Sequence, residues 1–286
     1  MRLATIRTAA GTRAARIEGD VVVELSAPDL GALLASGADP AATHAPGPVH
    51  DLAAVDFAPV VPRPDKVLCL GLNYRAHILE MGHDLPDHPT VFSKFAVSLV
   101  GARDDIWLPP ESEKVDWEAE LGIVIGRPVR RASAAEARAA IAGFTVVNDV
   151  SMRDWQYRTQ QWDQGKTWEH ATPVGPWLVS PDEVDDARDL RVACTVDGVV
   201  VQDGRTADLL FDPVETVRYL STVCTLVPGD LISTGTPAGV GHGRVPPVYL
   251  RPGQELRTTI EGVGELVNRC VAEPVSSDGV GLRERP

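Results

Sequence analysis

Short alternating runs open the chain. Residues 3–6, 15–17 and 21–25 place apolar side chains at β-like spacing, and Gly19-Asp20 supplies a turn between the last two. Residues 29–36 read as a short helix. A Pro/Ala-rich stretch over 40–48 and a proline cluster at Pro59, Pro62 and Pro64 read as a linker, which puts a boundary near Pro64. Beyond it, the apolar run 66–70 predicts a buried strand. Asn73, a good N-cap residue, then opens a helical segment reaching about Met81. A polar loop containing His83 and His88 runs to Pro89. Residues 115–125 read as one strand in which Asp116, Glu118 and Glu120 alternate with Trp117, Ala119 and Leu121. Ser133 and Glu136 form a capping box for an alanine-rich helix with Gly143 at its end, and a strand over 144–147 follows, ending at Asn148-Asp149.

After Pro173 strands and turns dominate, over 175–179, 191–196, 199–202, 231–234 and 256–260, with one helix over 212–222. So little β-α alternation argues against a doubly wound sheet and for a mixed α+β fold with a rolled or barrel-like sheet. The expected organisation is a small β-rich N-terminal domain over 1–63, a larger domain over 64–274, and a loose tail over 275–286 that has no apolar periodicity.

Composition narrows the function. The chain has 286 residues, with 27 Lys+Arg against 40 Asp+Glu and a net charge of −13, which argues against a nucleic-acid partner. Cys69, Cys194, Cys224 and Cys270 lie far apart with no CxxC spacing, which excludes a zinc ribbon and fits a reduced, intracellular protein. The first twenty residues are interrupted by arginines, and no apolar run reaches membrane-spanning length. A cytoplasmic location without membrane contact is therefore expected. Lys66, Lys94, Lys114 and Lys166 are the four lysines in an arginine-using chain, so a lysine beside a chemical motif draws notice.

The string Asp116-Trp117-Glu118-Ala119-Glu120 carries the sharpest local chemistry. Alternate positions of a strand share a face, so these carboxylates crowd together with no cation between Lys114 and Arg127. A shared divalent cation would relieve their repulsion, and Asp149, ending the next strand, adds a third ligand. A set of oxygens without His or Cys points to Mg²⁺, Mn²⁺ or Ca²⁺. A solvated acidic strand edge accounts for the same string equally well. His77 and Glu80, three apart in a helical segment, can form a hydrogen-bonded pair that leaves one imidazole nitrogen free as a base. On spacing alone a surface pair is the simpler reading. Arg153 and Lys166, cations just downstream of Asp149, suit a carboxylate or a developing oxyanion. Residues 233–241 form a Gly/Thr loop in which Thr236 can donate to an anion, although no Walker lysine is present.

Together these segments resemble the fumarylacetoacetate hydrolase family, in its smaller acylpyruvase-like and dienoate-isomerase-like members. The resemblance rests on residues 71–80, 91–94, 116–122, 147–154, 160–166 and 228–241, in the family's order, and covers roughly 65–270. It implies a mixed β-roll with flanking helices, assembled as a homodimer. It also implies Glu118, Glu120 and Asp149 as ligands to Mg²⁺ or Mn²⁺, His77 and Glu80 as a water-activating dyad on a lid helix, and Arg153, Gln156, Lys166 and Thr236 as substrate contacts. Phe95 and the run Trp168-Glu169-His170 depart from the common pattern beside the pocket, so the substrate is left open. The implied activity is hydrolysis of a C–C bond in a β-diketo acid such as an acylpyruvate. Oxaloacetate-type decarboxylation, 2-hydroxydienoate isomerisation or hydration, and a non-catalytic scaffold are the alternatives.

Overall fold

The computed structural model describes residues 1–38, 47–80, 82 and 84–274. The expected tail, His44 and His83, and the end of the helical segment at Met81 fall outside them. Among the described residues, two large sheets organise the chain, beside a two-stranded one that pairs Val115–Asp116 with Ser151–Met152. The larger runs through strands Val49–Asp51, Val21–Glu24, Gly11–Glu18, Arg2–Thr8, Thr172–Val179, Ile141–Asn148, Ala119–Ile125, Leu231–Ser233, Val67–Gly71 and Thr90–Lys94 in that order. Most neighbours are antiparallel, but 231–233 and 67–71 run parallel. Strand 2–8 pairs with 172–179 through Arg2↔Val179 and Leu3↔Leu178, so strands on both sides of the proline cluster share one sheet. The second sheet orders Val199–Arg205, Arg191–Val196, Glu255–Ile260, Gly264–Ala272 and Ile106–Leu108. With few helices beside these mixed sheets, the architecture is the α+β class expected from the sequence.

The core lies between the sheets. Leu121, Ile123 and Val146 from the first meet Val192, Cys194, Leu256, Ile260 and Leu266 from the second, all fully or almost fully buried. Asn148 ties the layers together: its side-chain nitrogen donates to Thr258 Oγ1 at 2.8 Å and its oxygen accepts the Glu118 N–H at 3.0 Å. Several local expectations change here. Residues 115–125 are two strands, Val115–Asp116 and Ala119–Ile125, and the break at 117–118 puts Asp116 in a separate pairing with Ser151 rather than in the strand that carries Glu120. Helix Ala134–Ala140 has the expected capping box, but it passes straight into strand 141–148, and Gly143 lies inside that strand. A β-carbon there would meet Val179 O at 2.3 Å, so glycine is required by close strand packing.

Asn73 also does a different task. Its amide donates to Phe211 O and Thr234 O and accepts the Phe211 N–H, stitching three segments together. The short helix Arg75–Glu80 is instead held by Asp208, whose carboxylate accepts the Ala76 N–H at 2.9 Å, and by Arg75 donating to Leu209 O at 2.6 Å. No helix among the described residues is long and apolar enough to cross a membrane.

Candidate active site

Glu118, Glu120 and Asp149 meet at the end of the larger sheet. Each offers an oxygen within 4.8 Å of the others, and all three are buried. The backbone explains the meeting. Glu120 sits on the central strand 119–125, Glu118 in the break before it, and Asp149 one residue beyond the adjacent strand, with its N–H donating to Glu118 O at 2.8 Å. Two carboxylates are neutralised by nearby cations. Lys166 Nζ bridges Glu118 Oε2 at 2.6 Å and Asp149 Oδ2 at 2.9 Å, while Lys94 Nζ donates to Asp149 Oδ1 at 2.5 Å. Arg153 reaches Glu118 Oε1 at 2.5 Å. Burial alone would raise the Glu118 carboxyl, but the charges of Arg153 and Lys166 outweigh it and hold it down at about 2. Burial would likewise lower Lys166, yet Asp149 and Glu118 drive it above its ordinary value.

Glu120 is treated differently. Its Oε2 accepts only neutral donors, Ser233 Oγ at 2.6 Å and the Gly235 N–H at 2.8 Å. Among the described residues no lysine or arginine pairs with it. Burial, reinforced by the charges of Asp149 and Glu118, pushes its carboxyl well above the usual range. With every carboxylate ionised, the buried groups of this cluster would set four negative charges, on Asp116, Glu118, Glu120 and Asp149, against three positive ones on Lys94, Arg153 and Lys166. One buried carboxylate would then be left uncompensated beside two others, in a set made of oxygens alone. That is a fit for a hard divalent cation.

A cleft of about 220 Å³ opens onto this group. His77, Glu118, Glu120, Arg153, Gln156, Lys166 and Thr236 line it, and Asp149 stands fully buried behind Glu118. His77 Nδ1 lies 3.2 Å from Glu80 Oε2, so the pair expected from helical spacing is formed, with His77 almost buried and Glu80 at the surface. The Gly239 N–H donates to the same Glu80 oxygen at 3.4 Å, linking the helix to the Gly/Thr loop. Gln156 Oε1 accepts from Arg153 at 2.8 Å. Thr236 Oγ1 donates to Ala119 O at 3.0 Å and accepts from Gln202 at 2.8 Å, so its hydroxyl proton is already engaged within the protein. Gly165 lets Lys166 approach, because a β-carbon at that position would meet the Gln156 backbone nitrogen at 2.5 Å.

Two residues with a large part in this geometry were not assigned one from the sequence. Lys94 was visible only as a rare lysine inside a matching segment. Its side chain is fully buried against Asp149. Asp116 looked like a further member of the acidic face. It anchors Arg153 instead, accepting its Nε–H at 2.9 Å, and also receives the N–H groups of Gly241 and His242 at 2.7 and 3.0 Å.

Comparison with known proteins gives a consistent picture. The model of the fumarylacetoacetate (FAA) hydrolase C-terminal family matches residues 66–271. Human mitochondrial oxaloacetate tautomerase FAHD2A is 46% identical over 226 residues, covering 78% of this chain and 72% of that protein. Among solved structures, fumarylacetoacetate hydrolase from Exiguobacterium antarcticum superposes with a TM-score of 0.85 at 32% identity, covering 96% of this chain and 100% of that one. The 2-hydroxyhepta-2,4-diene-1,7-dioate isomerase of Mycobacterium marinum gives a TM-score of 0.79 at 34% identity, with the same coverage.

Proposed function

The chain belongs to the fumarylacetoacetate hydrolase family, and from that premise we propose that it is a divalent-cation-dependent enzyme that interconverts the enol and keto forms of a small 2-oxo acid. The observation that carries this reading is the buried trio Glu118, Glu120 and Asp149 with Lys166 facing it. The tautomerase relative at 46% identity supports the reaction type and makes oxaloacetate the first substrate to test. Glu118, Glu120 and Asp149 would hold the cation, Mg²⁺ or Mn²⁺ by the hardness of the donors. When bound, it would supply a Lewis acid for the 2-oxo carboxylate end of the substrate.

The chain's own groups account for the proton movements. In enol-to-keto conversion the C2 hydroxyl loses its proton and C3 gains one. The Lys166 ammonium stabilises negative charge on the C2 oxygen, a contribution of about 10²–10³ in rate for a well-placed donor. His77 Nε2, left as a lone pair when Nδ1–H donates to Glu80, takes the proton from the C2 hydroxyl and delivers it to C3, and Glu80 fixes that tautomer. Arg153, held by Asp116, and Gln156 orient the substrate's carboxylate.

The test supplies the enol form of oxaloacetate and follows loss of its ultraviolet absorbance, with product identity read by NMR. Faster ketonisation with Mg²⁺ or Mn²⁺, abolished by EDTA and by His77→Ala, is expected; an unaltered spontaneous rate would overturn the reading. The His77–Glu80 pair favours a second reaction on the same site, hydrolysis of a β-diketo acid, in which His77 takes a proton from water and the adduct expels an enolate. Release of pyruvate and acetate from acetylpyruvate faster than oxaloacetate ketonises would make that hydrolysis the main activity. A cytoplasmic homodimer completes the proposal, and size-exclusion chromatography with light scattering checks the assembly.

A further inference from the structure

We propose that His242, oriented by Tyr249, recognises the far carboxylate of a 2-oxo dicarboxylic acid bound in the cleft; this rests on the reading that the cleft takes 2-oxo acids. His242 lines the same cleft as Glu118, Arg153 and Lys166. It lies in a short turn, Gly241–Gly243, that Asp116 pins by two backbone hydrogen bonds. Asp116 Oδ2 receives both the His242 N–H at 3.0 Å and the Arg153 Nε–H at 2.9 Å. The imidazole and the guanidinium thus start from one carboxylate oxygen. Arg153 reaches back to Glu118, while the His242 ring lines the cleft against Tyr157 and Tyr249. Gly241 sets the shape of this turn, since a β-carbon there would fall 1.9 Å from Val248 O.

The ring is positioned as a donor. Tyr249 Oη lies 2.9 Å from His242 Nδ1; with the phenol donating to Nδ1, the proton of the neutral ring sits on Nε2. Burial, then the charge of Arg153, lower His242 from its ordinary value and favour that neutral form. Tyr157, also on the cleft wall, flanks the ring at 5.5 Å between centroids. Nε2 has no hydrogen-bond partner among the described residues. Elsewhere on the wall the donors are engaged within the protein or, like Arg153 and Gln156, assigned to the carboxylate at the 2-oxo end. Arg153 binds Asp116, Gln156 and Glu118, Lys166 bridges Glu118 and Asp149, and Thr236 donates to Ala119 O. A second carboxylate, distant from the 2-oxo acid end, finds its open donor at His242.

Oxaloacetate and 2-oxobutyrate separate this idea from a structural role, because the second acid carries a methyl group where the first carries its far carboxylate. Calorimetric titration in the presence of Mg²⁺ measures both. The wild-type protein is expected to bind oxaloacetate more tightly. His242→Ala should weaken oxaloacetate about tenfold and leave 2-oxobutyrate unchanged. Tyr249→Phe should give an intermediate loss with the same selectivity, and His242→Gln, which restores an N–H donor, a partial recovery. Equal losses for both acids, or none for either, would overturn the assignment of His242 alone. Failure of the wild-type protein to bind either acid would overturn it together with the proposed function.

Discussion

The ammonium of Lys166 lies 2.6 Å from Glu118 Oε2, held in the space between two carboxylates of the buried trio. A lysine there has two consequences: it screens Glu118 from Asp149, and it presents a fixed positive charge to whatever enters the cleft. Lys166→Met should therefore lower turnover by about 10²–10³ while keeping measurable Mg²⁺ binding, read from steady-state kinetics and calorimetry. Because the change leaves buried carboxylates short of a partner, a lower melting temperature should accompany it, with a cost of about 3–5 kcal/mol. Unchanged turnover would remove Lys166 from the chemistry.

Glu120 gives the complementary prediction. It is the buried carboxylate served by neutral donors alone. Glu120→Gln keeps the shape and removes a carboxyl that is costly to ionise in its buried place, so without divalent ions the variant should melt no lower than the wild type. Saturating Mg²⁺ should stabilise the wild type, by about 2.7 kcal/mol at a hundredfold excess over Kd, and leave the variant almost unmoved. A variant that still gained full stability from Mg²⁺ would show that Glu120 is no ligand.

The helix that carries His77 is held from outside, through Asp208 and the Ala76 N–H. Removing that acceptor by Asp208→Ala should cost about 1 kcal/mol at the helix start. Turnover should fall while Mg²⁺ affinity stays unchanged, since none of the three acidic residues lies on this segment. Parallel loss of metal binding, followed by calorimetry, would argue for general destabilisation instead.

The cysteines supply a pH test. Cys69, Cys194 and Cys270 are buried, and Cys224 is half-buried. Burial pushes Cys194 and Cys270 up to about 12 and Cys69 well above its ordinary value. A thiol reagent at mild pH should label Cys224 quickly in the native protein and the others only after unfolding. A thiol whose value is raised in the folded state favours folding below its unfolded value. That advantage is lost as pH climbs through the window up to about 12, where the unfolded chain ionises first. Chemical denaturation above pH 9 should show falling stability, and the slope should shrink in Cys194→Ala.

Much of this was legible in the residues. The apolar pattern identified the middle of strand 2–8 through residues 3–6, the strand 191–196 and all but the first residue of 255–260, and the Ser133–Glu136 box fixed a helix start because capping is local chemistry. The i, i+3 spacing of His77 and Glu80 gave their contact for the same reason. What escaped is non-local. Asn73 has the right type for a cap, but three hydrogen bonds to Phe211 and Thr234, from two distant segments, claim its amide. Asp116 shares its alternation with Glu118 and Glu120, yet the strand breaks between them, and a break of two residues leaves no mark in the hydrophobic pattern. The strand Gly264–Ala272 was not anticipated, because Gly264, Glu265, Asn268 and Arg269 interrupt its apolar positions. His242 stood in a glycine-rich turn with nothing beside it in sequence to suggest a cleft.

The pairing of Arg2–Thr8 with Thr172–Val179 bears on how the protein tolerates truncation. A polypeptide begun at residue 64 would leave the Leu178–Val179 end of that strand with unshared N–H and C=O groups, open to any other extended chain. The leading segment therefore acts as a selvedge for the fabric that holds the carboxylates. Shortening the chain from that end should give sticky, self-associating material long before any acidic residue of the cleft is touched.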